Sequence, residues 1–252
     1  MSGVEGRVAL VTGAGRGIGR ATAMLLASRG AKVMATARSE AELEALGGID
    51  WVAADLTSDA DRERIVAETE GRLGPIELLV NNAGLGSAHE RRIWEQPPEV
   101  WRRTMDVNLD APYDLCRRTV GSMVEAGYGR CVFVASTAAN LAETEGSAYS
   151  ASKSGLLGLM RSVAQDAGSR GVTANAVLPG WVQTEMAERS AKAEADARGI
   201  TKDDVWAERA KLYPPGRVLQ PEEVAEIIAF FCSEESGGVS GESIVCALGS
   251  PW

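Results

Sequence analysis

Residues 8 to 28 constrain the fold more than any other stretch of the chain. Val8-Ala9-Leu10-Val11 is a continuous apolar run of strand length. It passes into Thr12-Gly13-Ala14-Gly15-Arg16-Gly17-Ile18-Gly19, and Ile18–Ser28 then reads as a helix. In a strand–turn–helix unit of this kind, Gly13 permits the tight turn and Gly17 lets the backbone approach a pyrophosphate. Gly19 allows the helix to pack closely on the strand. The helix start adds unpaired N–H groups and the positive end of the helix dipole. A glycine-rich turn alone can exist without a ligand; the strand before it and the helix after it argue for a nucleotide.

The alternation continues along the chain. Further strands are expected at Lys32–Thr36, Trp51–Ala53, Glu77–Val80, Arg130–Ala135, Thr173–Val177 and Ser243–Cys246. Helices are expected at Ser39–Leu46, which Ser39 can cap, at Ser58–Leu73 and as one long helix at Glu99–Ala126. Two more follow at Tyr149–Gly168 and Pro221–Cys232. Seven strands with crossover helices predict an α/β fold built on a single doubly wound parallel sheet, a Rossmann-type arrangement. Such sheets bury both faces, which explains continuously apolar strands. No linker or repeat divides the chain, so one domain is expected over 1–252. Residues 182–218 are charged and Ala-rich and end in Pro214-Pro215-Gly216. They read as a small helical insertion over the carboxyl edge of the sheet, the edge that holds the ligand crevice in such folds.

Composition removes several functions. The 252 residues carry 26 Lys and Arg against 35 Asp and Glu, a net charge of -9. Neither nucleic acid nor an anionic membrane is an expected partner. No run of 18 apolar residues predicts a membrane span. Met1 to Gly6 is short and polar and leads into a strand, so no signal peptide is expected. The four cysteines, Cys116, Cys131, Cys232 and Cys246, form no C-x-x-C pair. Free thiols in a reducing, cytoplasmic setting are expected. With a single histidine, His89, no His/Cys metal cluster is expected, and no Ser-His-Asp mechanism unless His89 carries it. Its expected place is a loop. Trp181 and Trp206 can face a substrate or pack a lid.

A catalytic pattern lies further on. Tyr149-Ser150-Ala151-Ser152-Lys153 sets a phenol and an ammonium four residues apart, on one face of a helix. A nearby ammonium favours phenolate, and moving a phenol from about 10 to about 7 requires roughly 4 kcal/mol. Taken alone, Y-x-x-x-K is a weak signal. Ser136 ends a strand thirteen residues earlier, and Asn108 lies in Asp106-Val107-Asn108-Leu109.

The glycine spacing G-x-x-x-G-x-G, Asn81-Asn82-Ala83-Gly84 and the Ser136, Tyr149 and Lys153 spacing together resemble the short-chain dehydrogenase/reductase family. The resemblance runs from about residue 6 to residue 246. It implies a tetrad of Asn108, Ser136, Tyr149 and Lys153. Tyr149 is then the acid/base, with Lys153 lowering its pKa together with the cationic oxidised nicotinamide. Ser136 orients the carbonyl, and Asn108 holds a relay water. It implies that Gly13, Arg16, Gly17, Ile18 and Gly19 cradle the cofactor. Asp55 and Leu56 lie at the adenine, and Asn82, Ala83 and Gly84 line the cleft. Pro179-Gly180-Trp181-Val182-Gln183-Thr184 resembles the family's P-G loop. There Pro179 and Gly180 shape the turn, the Val182 backbone meets the carboxamide, and Thr184 donates its hydroxyl. Tyr149 and Lys153 touch the cofactor as well.

An acid at the end of the second strand accepts from a ribose 2′-OH, whereas an Arg there suits a 2′-phosphate. This chain reads Ala35-Thr36-Ala37-Arg38. With Arg16 in the turn, NADP(H) is expected over NAD(H). The expected function is hydride transfer between NADP(H) and a carbonyl or secondary alcohol, with a 3-oxoacyl or polyketide-type ketone suggested by Gly216-Arg217-Val218-Leu219-Gln220-Pro221-Glu222-Glu223-Val224-Ala225. A nucleotide-sensing relative without turnover is the alternative; an epimerase or dehydratase of the longer relatives fits the glycine spacing less well. No Lys or His lies between Ser136 and Tyr149, which disfavours a short hydroxy acid as substrate. The family implies a homotetramer, or a homodimer at least. Val245-Cys246-Ala247-Leu248-Gly249 departs from the usual V-D-G-G.

Overall fold

The computed structural model describes residues 3–250; the first and last two residues of the expected 1–252 domain lie outside them. Seven strands form one sheet: β1 Val8–Thr12, β2 Lys32–Ala37, β3 Asp50–Ala53, β4 Leu78–Asn81, β5 Gly129–Val134, β6 Val172–Pro179 and β7 Ser243–Cys246. The spatial order is β3-β2-β1-β4-β5-β6-β7 and every pairing is parallel. After β3 the chain returns to pair β4 with β1. That reversal opens a crevice at the carboxyl ends of β1 and β4.

Helices cover both faces: α1 Gly17–Ser28, α2 Glu40–Glu44, α3 Asp59–Leu73, α4 Pro98–Met105, α5 Ala111–Ala126, α6 Ser147–Ala167, α7 Glu185–Arg198, α8 Lys202–Lys211 and α9 Pro221–Cys232. Alternate strand residues feed separate cores. Leu10, Met34, Leu79 and Phe133 pack on one face with Leu115, Leu156 and Met160. On the other, Ala9, Val11, Val33 and Val80 pack with Leu26, Ile228 and Phe231. Starts of helices follow local chemistry. Ser39 and Ser58 accept from the N–H groups of Glu42 and Asp61, and Pro221 begins α9.

The expected single helix over Glu99–Ala126 is divided. Between α4 and α5, Asp106–Asp110 winds as a π-turn, with Ala111 N–H donating to the Asp106 carbonyl five residues back. Pro112 supplies a reason. It has no N–H for the carbonyl four residues earlier, that of Asn108, so the ladder cannot run through unbroken.

The 182–218 segment leaves and rejoins the body at one clasp. Leu219 N–H donates to the Trp181 carbonyl and Gln183 N–H to the Leu219 carbonyl, at 3.0 and 2.8 Å. Between them α7 and α8 pack through Ala191, Ala195 and Val205. Small alanines let two charged helices approach closely above the carboxyl edge of the sheet. Leu248 has a left-handed φ of 50°, a conformation that glycine adopts without strain.

Candidate active site

The crevice is built first by Thr12. Its hydroxyl donates to Val80 O at 3.2 Å and accepts from the N–H groups of Asn82 and Ala83, both at 3.0 Å. One hydrogen and two lone pairs are thereby used in tying β1 to the loop after β4. Asn82 Nδ2 donates to the carbonyls of Thr12 and Gly13, at 2.8 and 3.3 Å. Gly13 has a φ of 65°, and an added Cβ would lie 2.9 Å from Ala83 Cα. At Gly19 a Cβ would collide with the Gly13 carbonyl. The glycine turn is thus held at the mouth of the crevice with no room for side chains on its inner side.

Above the turn, α1 begins with no side-chain cap and no acid in its first turn. A helix start of that kind attracts an anion. Ile18 packs on the core behind it. Gly17 faces Thr184, whose Cγ2 would stand 3.2 Å from an added Cβ. Thr184 caps α7 by accepting from Ala187 N–H at 3.3 Å, which leaves its own hydrogen for another acceptor. The clasp at Val182 uses Trp181 O and Gln183 N–H, so the N–H and C=O of Val182 point the other way. Pro179 and Gly180 lead into it; Gly180 N–H is bonded to Cys246 O at 3.0 Å, and its Cα is backed by the Tyr213 ring. A glycine cradle, an uncapped helix start and an opposed backbone strip fit a dinucleotide.

At the far end of the cradle, Arg38 is exposed and Ala37 ends β2. Arg16 stands 3.1 Å from both Glu42 and Glu185. No carboxylate is expected here from the order of residues alone; α2 delivers Glu42 against Gly15, where an added Cβ would lie 3.0 Å from Glu42 Cβ. Asp55 spends one carboxylate oxygen on Thr57, accepting from its N–H at 3.0 Å and its hydroxyl at 2.9 Å. Those bonds, the backbone one foremost, hold its carboxyl below the usual range, with Arg38 assisting. Leu56 beside it is buried, and its carbonyl accepts from Arg62 at 2.6 Å.

Four expected residues converge on the other side. Ser136 follows β5, accepts from Ala138 N–H at 3.1 Å and lies close enough to the Tyr149 phenol to act on its titration. Lys153 is buried one turn below Tyr149; its ammonium donates to Val134 O at 2.8 Å and lies 5.8 Å from the Tyr149 ring centre. Asn108 is fully buried in the π-turn. Its Oδ1 accepts from Leu85 N–H at 2.7 Å, and its Nδ2 donates to Leu85 O and Ser152 Oγ, both at 3.0 Å. Ser152 in turn donates to Tyr149 O at 2.7 Å. An added Cβ on Gly84 would lie 3.3 Å from Lys153 Nζ and 3.4 Å from Asn108 Oδ1, so Gly84 marks the junction.

Two expectations change here. Both donors of the Asn108 amide are spent on protein, so the side chain first fastens the loop after β4 to α6. Without the nicotinamide's charge the phenol is not lowered. Burial pushes Tyr149 up to about 12, with Glu143 and Glu90 adding to the rise and Ser136 opposing it. Burial likewise brings Lys153 down to about 8. Desolvation is the largest cause at both groups.

Other residues of the site carry no signal in the sequence. Glu90 is 2% exposed, and its two oxygens accept from the N–H groups of Ala148 and Tyr149, each at 2.7 Å. Its neighbour His89 is exposed on the loop. Trp181 and Trp206 serve the lid: the Arg209 guanidinium sits 3.6 Å and 5.2 Å from their rings and ties α8 to α7 through Ala187 O, Ser190 and Glu194. All four cysteines are free and buried.

The sheet order, the glycine cradle and the converging Ser136, Tyr149 and Lys153 define a nucleotide-dependent oxidoreductase of one class: the chain belongs to the short-chain dehydrogenase/reductase family. A family model described as enoyl-(acyl carrier protein) reductase matches residues 13–250. The chain is 33% identical over 247 residues to the 3-oxoacyl-[acyl-carrier-protein] reductase FabG of Escherichia coli K12, covering 95% of each. It is 33% identical over 246 residues to the FabG of Vibrio cholerae, covering 96% of each. Among solved structures, levodione reductase superposes with a TM-score of 0.92 at 29% identity, over 97% of each chain. A single-substitution variant of actinorhodin polyketide ketoreductase, with NADPH, gives 0.91 at 32% identity, over 97% of this chain and 98% of that one.

Proposed function

We propose that this chain is an NADP(H)-dependent ketoreductase that interconverts a ketone of the 3-oxoacyl or polyketide type and its secondary alcohol. One observation carries the reading. The Ser136 side chain is near enough to the Tyr149 phenol to influence its titration, with the Lys153 ammonium 5.8 Å from the Tyr149 ring, at the carboxyl edge of the sheet. That is a proton donor, an orienting hydroxyl and a cation at one point of a crevice.

Bound NADPH would supply the hydride. The α1 start, Gly13, Arg16, Gly17, Ile18 and Gly19 would hold its pyrophosphate, with Thr184 as hydroxyl donor. Val182 would present its backbone to the carboxamide, beyond Pro179 and Gly180. Asp55 and Leu56 would face the adenine, and Asn82, Ala83 and Gly84 the middle of the cleft. Lys153 has N–H groups beyond the one given to Val134 O and would take a ribose hydroxyl. Tyr149, with its phenol near 12, is an acid that stays protonated at neutral pH. It gives its proton to the ketone oxygen as the carbonyl carbon is reduced. Ser136 donates to the same oxygen and aligns it. The Asn108 carbonyl, deprived of its helical donor by Pro112, is the acceptor in this site for a relay water behind Lys153.

NADP(H) over NAD(H) is supported by Arg38 after an uncharged Ala37 and by the NADPH in the actinorhodin enzyme. Arg16 must exchange Glu42 and Glu185 for the 2′-phosphate, a dianion that makes stronger charge-assisted bonds. A cytoplasmic setting is supported by four unpaired buried thiols. Among the described residues no helix is long and apolar enough to cross a membrane.

The test is a panel of ketones and alcohols with each nicotinamide cofactor, followed at the reduced-nicotinamide absorbance band. Turnover of 3-oxoacyl thioesters or cyclic ketones with NADPH is expected. Tight NADPH binding with no turnover across the panel would replace this reading with that of a nucleotide sensor.

A further inference from the structure

Helix α6 carries Tyr149 in its first turn, yet its cap residue, Gly146, has no side chain with which to bond the free N–H groups. The two that an N-cap residue normally serves are at the second and third helical positions, here Ala148 and Tyr149. Glu90 reaches them from the loop after β4. The carboxylate is otherwise met by Gln96 Nε2 at 3.3 Å and Ser147 Oγ at 3.5 Å, both neutral. Among the described residues, no ion pair with Glu90 is formed. A carboxylate nine-tenths buried with no cation opposite is costly unless its bonds are good. The helix dipole and two short charge-assisted bonds supply that compensation.

We infer that Glu90 is a positioning residue for Tyr149, fixing the start of α6 so that the phenol stands over the ketone oxygen. The Tyr149 backbone is then gripped at two points: its N–H by Glu90 and its carbonyl by Ser152. The same loop is fastened at Leu85 by Asn108, which also bonds Ser152, so loop, π-turn and catalytic helix are tied together. The ionisable groups facing the phenol are Glu90 from this loop, Glu143 from the loop after β5 and Lys153 from α6; Arg209 of α8 faces Glu143. Both carboxylates oppose phenolate, and removing one favours it.

The inference rests on Tyr149 being the proton donor, so the experiment runs Tyr149→Phe in parallel. Glu90→Gln keeps the size of the side chain, but offers an N–H where a second acceptor is needed. With a confirmed ketone, its kcat is expected to fall about tenfold, because a small misplacement of a reacting group is enough for that. NADPH affinity, read by fluorescence, is expected to stay unchanged. The alkaline limb of the reduction profile is expected to move to lower pH, a shift that a loss of fold alone would not produce. Wild-type kcat with an unmoved limb in Glu90→Gln, while Tyr149→Phe is inactive, overturns the role of Glu90 only. A loss of kcat that comes with lost NADPH binding and an unmoved limb reduces Glu90 to a folding residue and overturns it too. Near-normal turnover in Tyr149→Phe removes the proton donor itself, and the inference with it.

Discussion

At the scale of single residues the site separates acid from orienter. Tyr149→Phe keeps shape and bulk but removes the proposed proton donor. Turnover is expected to fall at least about 100-fold while NADPH binding survives. Lys153→Met is expected to be at least as harmful and Ser136→Ala less so; equal losses for Ser136 and Tyr149 would contradict the division of roles. The direction of the phenol shift sets the pH dependence. Reduction consumes the protonated phenol, so with a phenol near 12 its rate should hold through neutral pH and fall only under alkaline conditions. Oxidation needs phenolate and should climb with pH over the same range. A reduction rate that already declines between neutral pH and the ordinary histidine range would place the proton elsewhere. Cofactor choice is also a residue-scale matter. Arg38→Asp should move preference towards NADH. Glu42→Gln removes a competitor for Arg16 and should raise the ratio of NADPH to NADH affinity, which titration of both reduced cofactors reads directly.

Elements decide how those residues are presented. The π-turn places Asn108 where its amide reaches both Leu85 and Ser152, a geometry that a continuous α-helix over Asp106–Asp110 would rotate away. Pro112→Ala returns an N–H to the carbonyl of Asn108 and favours the regular ladder. Turnover is expected to fall about tenfold through misplacement of the asparagine, with a thermal midpoint that does not fall. Unchanged kcat would show that the π-turn stands without the proline. This division of Glu99–Ala126 was half legible: the 3.6-residue pattern runs through it, and only Pro112 marks the break. By contrast, the cap at Ser39 was legible outright, since a capping side chain and its N–H partner lie three residues apart in the chain.

For the whole molecule, β7 is the edge of the sheet and exposes Ile244 and Val245, with Phe230 of α9 also exposed. Tyr113 of α5 stands out on another face. An unpaired apolar edge strand is a liability that a second copy would remove. Sedimentation at micromolar concentration is expected to show a tetramer, or a dimer at least. A monomer would refute this.

The sequence by itself determined what depends on near neighbours: the strand and helix periods, the glycine turn that no larger residue can replace, and the Tyr149–Lys153 pair one helical turn apart. It also carried the uncharged end of β2. Tertiary structure alone decided which distant charges meet these groups. Glu42 reaches Arg16 from 26 residues away and Glu90 reaches Tyr149 from 59, and no local pattern encodes either approach. Burial, too, is a property of the packed chain. Spacing alone set an ammonium beside the phenol; packing buried Lys153 and half-buried Tyr149, and without the nicotinamide's charge desolvation raises the phenol and lowers the ammonium.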